Sequence, residues 1–146
     1  MDMIKRLWGF AGVALVGAFV AACNNGGSSS TTSPTPPSTT TTLSGTVQPG
    51  VGNYDFQQFT TAAAGEIDVS LTAAGPPPTI QVGLGLGSMS SDGTTCLLST
   101  TFQTVVSASA TPVWSVSAPA GVYCVEVVDI GNAAVPISYT VIVAHS

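Results

Sequence analysis

Gly65-Glu66-Ile67-Asp68-Val69-Ser70-Leu71 alternates polar and apolar side chains without a break. A period of two puts Ile67, Val69 and Leu71 on one face of an extended strand and Glu66, Asp68 and Ser70 on the other. The same alternation returns in Ile80-Gln81-Val82-Gly83-Leu84-Gly85-Leu86 and in Tyr123-Cys124-Val125-Glu126-Val127. It returns again in Ile137-Ser138-Tyr139-Thr140-Val141-Ile142-Val143. Residues 54–60, 100–106 and 113–117 are further strand candidates, and nothing from Gly45 onward carries a helical apolar repeat. Turn residues punctuate the runs at 50–53, 64–65, 75–78, 92–93, 119–121 and 131–132. Seven or eight short strands in about 100 residues suit one core, and they predict an all-β fold, an antiparallel β-sandwich.

Ahead of the strands the composition changes twice. Residues 24–44 are almost all Asn, Gly, Ser, Thr and Pro, with a single Leu near the end. Such a stretch buries too little apolar surface to offset its ordering entropy, so it is expected to be a disordered tether. Residues 7–20 are an uncharged, largely apolar run of 14 residues preceded by Lys5 and Arg6. As a helix that run would span only about 21 Å, short of a hydrocarbon core of roughly 30 Å. The small residues Ala21 and Ala22 follow it, as a processed export signal requires. The expected organisation is therefore a signal peptide over 1–22, a tether over 23–44 and a sandwich domain over 45–146.

Val20-Ala21-Ala22-Cys23 ends the apolar run where the polar segment begins, and this arrangement resembles the lipobox of bacterial lipoproteins. The resemblance implies acylation of Cys23, cleavage just before it and membrane attachment through its acyl chains. Three chains on one residue would make that attachment stable, since two suffice. Asn24 stands where an aspartate would resemble an inner-membrane retention signal, which points the expectation to the outer membrane. The alternative is an ordinary secretory signal in which Cys23 is incidental.

Lys5 and Arg6 are the only Lys and Arg residues, and both lie within the expected signal. The remainder keeps Asp55, Glu66, Asp68, Asp92, Glu126 and Asp129. A chain without fixed positive charge cannot neutralise phosphates, so nucleic acid and other polyanions are set aside as partners. With Cys23 assigned to lipid, Cys96 and Cys124 remain as an even pair in an exported compartment. A disulfide between them is expected, the alternative being two buried thiols. No C-x-x-C spacing suggests redox or zinc chemistry.

Asp55-Phe56-Gln57-Gln58-Phe59, followed by residues 64–71, resembles the opening of bacterial pre-peptidase C-terminal (PPC) domains. Ala120-Gly121-Val122-Tyr123-Cys124-Val125-Glu126-Val127 is similar to a later strand of that family, and Tyr139-Thr140-Val141-Ile142-Val143 to its closing one. The resemblance covers most of residues 45–143. It implies a jelly-roll-like β-sandwich without catalytic residues of its own. Residues 80–86 depart from the family by lacking its acidic strand residues, and no catalytic domain accompanies the module.

The expected activity is therefore non-enzymatic, a lipid-anchored interaction or structural module with no cofactor and an unidentified protein or glycan partner. A carbohydrate- or calcium-binding module is the alternative. Catalysis would have to rest on His145, the only histidine, in a position where chains usually fray. Calcium would have to gather carboxylates from Glu66, Asp68, Asp55 or Asp129. Glu66 and Asp68 read instead as a solvated strand face, and Asp92 and Asp129 as turn residues. Sugar stacking would fall to Trp114, Tyr123, Tyr54 or Phe102, of which Trp114 shares the core parity of Val116. Gly83, Gly85 and Gly87 read as the outer face of a strand, smooth enough to admit a packed neighbour or a ligand.

Overall fold

The computed structural model describes residues 38–146. Eight strands follow one another: β1 (Thr39–Val47), β2 (Tyr54–Thr61), β3 (Gly65–Gly75), β4 (Gln81–Met89), β5 (Cys96–Ser107), β6 (Trp114–Ala118), β7 (Gly121–Val128) and β8 (Ile137–His145). They form two antiparallel sheets in spatial order β1-β8-β3-β6 and β2-β7-β4-β5. Pairing is nested, β1 with β8, β2 with β7, β3 with β6 and β4 with β5. The chain is thus one long two-stranded ribbon folded over on itself, and the β3–β8 and β4–β7 pairings join its turns into sheets. This is the winding of an eight-stranded jelly roll, so the expected all-β sandwich is observed.

The alternating runs place their apolar members between the sheets. Ile67, Val69 and Leu71 of β3 meet Val82, Leu84 and Leu86 of β4, with Val125 and Val127 of β7 and Ile137, Val141 and Val143 of β8 completing the core. Each fully buried Val, Leu or Ile side chain stabilises the fold by about 1.5–3 kcal/mol.

One boundary differs from expectation. Residues 39–44, assigned by composition to the tether, are the first six of the nine residues of β1, an edge strand on β8. The β-branched threonines suit a pleated strand. Leu43, the lone apolar residue of the stretch, is buried, and the Thr41 hydroxyl lies 3.0 Å from His145 Nε2. Composition averaged over 21 residues concealed this local alternation. Cys23, the expected signal peptide and the earlier part of the tether lie outside the described residues.

The nested pairing gives the sandwich two distinct ends. At one, Thr39 of β1 stands opposite His145 of β8, and His145 opposite Ile67 of β3. We call this the entry end. The opposite, distal end carries the connections 48–53, 76–80, 108–113 and 129–136. Cys96 and Cys124 form the expected disulfide, with Cα atoms 5.8 Å apart. They stand opposite Met89 and Gly87 of β4, so the bridge ties edge strand β5 to β7 across β4.

Candidate functional site

The carboxylates considered for calcium are dispersed. Glu66 is exposed and Asp68 accepts a hydrogen bond from the Ser115 hydroxyl, both on the outer face of the β1-β8-β3-β6 sheet. Asp55 belongs to β2, where its Oδ2 accepts from the Tyr139 hydroxyl at 2.7 Å. Asp129 lies at the distal end, fully buried. Among the described residues no three His, Cys, Asp or Glu side chains are grouped as metal ligands would be.

Asp129 instead ties two loops together. Its Oδ2 accepts from the Gly50 N–H at 2.7 Å, and its Oδ1 accepts from the N–H groups of Gly131, Asn132 and Ala133 at 2.9–3.3 Å. These donors, Gly50 foremost, hold its carboxyl below the usual carboxylate value against the opposing effect of burial. A depressed folded-state pKa adds stability above the unfolded-state pKa that is lost as pH falls through the folded one. The thermal midpoint is therefore expected to fall steeply below about pH 4. In Asp129→Asn that acid limb should be shallower and the midpoint at pH 7 lower. Acid limbs of equal steepness in thermal melts of the two proteins would contradict this role.

His145 is not frayed. It is 5% exposed, hydrogen-bonded to Thr41 and tilted against Phe59 with ring centroids 5.6 Å apart. The register of β1 and β3 on either side of β8 holds it in place. Tyr123 stacks on the other partner of this cluster, Phe59, at 5.8 Å, and its hydroxyl donates to the Pro119 carbonyl at 2.8 Å. Trp114 follows its expected parity, half-buried and edge-on to Phe102 at 6.1 Å. Three of the four aromatic candidates for sugar stacking are thereby partly buried, each packed against another aromatic ring. Tyr54, 60% exposed at the start of β2, is the fourth and faces solvent.

Gly83, Gly85 and Gly87 lie on the outer face of β4, as expected, but they are buried. A Cβ on Gly83 would strike the Val128 side chain, and one on Gly85 would come within 2.8 Å of Leu98 Cδ2. At Gly87 it would strike the backbone carbonyl of Leu97. The glycines admit closely packed neighbours from β5 and β7 rather than leaving an open floor. Beside them Glu126 faces Gly85 among Leu98, Val105, Val128 and Ile130, in a depression of about 320 Å³. Partial burial raises the Glu126 pKa. By the same linkage, this residue opposes folding once it ionises.

Two features were not foreseen in the sequence. The first is the Asp55–Tyr139 pair, in which burial foremost and the adjacent carboxylate hold the phenol protonated well above its ordinary range. It is housed by Gly45, where any Cβ would collide with both partners. Residues so far apart share no local signal. The second is an apolar cleft of about 370 Å³ at the entry end, between edge strands β5 and β6. Ile67, Leu86, Phe102, Val116 and Tyr123 line it, and Leu97, 54% exposed, stands at its rim. Strand parity predicts inward side chains but not where the two sheets part. Compared with known proteins, the chain matches no family model and no curated protein sequence.

Proposed function

We propose that this chain is a bacterial lipoprotein that holds a non-catalytic jelly-roll module at the outer membrane through acyl chains on Cys23. The observation that carries this reading is the order Lys5-Arg6, an uncharged run over 7–20, Ala21-Ala22-Cys23 and then a polar Ser/Thr/Pro stretch. The apolar run is too short to span a bilayer as a helix, and the cysteine sits at its polar border. The sandwich adds support of a different kind. His145 is enclosed by Thr41 and Phe59, and Asp129 is saturated by backbone donors, so neither is placed as a general base toward solvent. What the domain offers instead is surface: Tyr54 and Val105 on one sheet, Ile130 in the loop that follows β7, and the cleft at the entry end.

Fractionation of expressing cells tests the anchor. The natural chain is expected in the membrane pellet and to incorporate an alkyne-tagged fatty acid. Cys23→Ala is expected to shift at least tenfold toward the soluble fraction and to lose the label. Retention of Cys23→Ala in the pellet would overturn the proposal.

A further inference from the structure

The jelly roll leaves one seam unsealed at its entry end. There β5 and β6, edge strands of opposite sheets, diverge around the cleft described above. Its volume lies within the range of sites for small ligands, and its lining is dominated by carbon. Ser88, Ser99 and Ser117 are the polar residues along it. The described residues hold no Lys or Arg, and Glu66 stands directly opposite Ser117. An anionic ligand would find no Lys or Arg to pair with, so the occupant should carry no net negative charge.

Chain connectivity indicates where such a ligand would come from. Thr39 is two strands from Ile67 across β8, about 10 Å at the usual strand spacing. Sixteen residue steps separate Cys23 from Thr39. The segment leading from Cys23 therefore joins the domain at the same end as the cleft.

The geometry points to one acyl chain of an uncharged or zwitterionic membrane lipid as the ligand of this cleft. The source of the lipid rests on the anchored reading; the binding itself does not. Each buried methylene should tighten binding about fourfold until the cleft is filled.

The test uses the chain from residue 23 with Cys23→Ser, which carries no lipid of its own. It is titrated calorimetrically with monoacylglycerols below their micellar concentrations. Saturable one-to-one binding is expected, at least tenfold tighter for the dodecanoyl than for the octanoyl ester. Dodecanoate anion should bind at least tenfold more weakly than the dodecanoyl ester. Leu97→Glu places a carboxylate at the rim from an exposed position and should weaken binding at least tenfold. Ala118→Trp, which fills the cleft, should do the same, with its fold checked by thermal melting. Val51→Glu, at the distal end, should bind like the parent. No saturable binding, or equal binding by the Leu97→Glu and Val51→Glu variants, would overturn the assignment. So would ligand-free dimers that Leu97→Glu dissolves, since a second copy would then be the occupant. The outcomes are separable from the anchor experiment. Release of Cys23→Ala without ester binding refutes the cleft alone, and ester binding without release refutes the anchor alone.

Discussion

Replacing Cys96 and Cys124 together by alanine is expected to lower the thermal midpoint of the domain by on the order of 15 °C. The bridge spans a sequence separation of 28. Closing a loop of that size removes about 3–4 kcal/mol of chain entropy from the unfolded state. For a domain of this size each kcal/mol moves the midpoint by roughly 4–8 °C. The structure indicates why little else substitutes for the bridge. β5 is an edge strand whose pairing with β4 shifts register between Gly85 and Gly87, so its first residues depend on an interrupted ladder. The disulfide bypasses that interruption and fastens Cys96 to the fully buried Cys124 of β7. Alanine is the appropriate replacement because a serine hydroxyl at position 124 would be buried without a partner. Calorimetry of the natural and double-alanine chains, with a reduced natural sample alongside, measures the effect. Midpoints agreeing within a few degrees would show that the crosslink is dispensable.

Gly45→Val should be nearly as damaging, although it lies on an edge strand where substitutions are usually mild. The added Cβ would occupy space held by the Asp55 carboxylate and the Tyr139 hydroxyl, the latter 2.5 Å away. Neither can retreat easily, since Tyr139 is buried in the core and Asp55 also lies 3.4 Å from Gln57 Nε2. Overpacking costs about 1–3 kcal/mol, and loss of the hydrogen bond leaves a buried polar group unpaired at a similar cost. A total of about 2–6 kcal/mol is expected from chemical denaturation. Gly93→Ala provides the contrast. Its Cβ would meet nothing within 4 Å, so what it tests is the strain of a positive φ of 71°. If Gly45→Val unfolded at the same denaturant concentration as the parent, the proposed congestion around Asp55 would be wrong.

How much of this could be read beforehand depends on how local each signal is. Alternation in residues 66–71, 80–86 and 137–143 identified strands because the period of two is carried by neighbouring side chains. Trp114 was placed inward by its parity with Val116 alone. The pairing of Cys96 with Cys124 followed from counting. Legibility failed where a residue depends on a distant partner. His145 looked like a terminal residue because nothing near it in sequence reveals that Thr41 and Phe59 enclose it. Gly83 and Gly85 read as an outer face open to a packed neighbour or a ligand, and the choice between them lay with Val128 and Leu98, which belong to other strands. Thr39 to Ser44 looked like tether because threonine is common to hydrated linkers and to strands alike. Only the pairing with β8 decides between them.

The position of β8 also bears on the order of events during synthesis. It is the last of the eight strands to be made, yet it lies between β1 and β3. Until residues 137–145 have emerged, the first strand has no neighbour in its own sheet, and Val69 and Leu71 lack the Val143 and Val141 that oppose them. Assembly by such long-range pairing is intrinsically slow. A nascent chain of this design therefore stays open until β8 arrives.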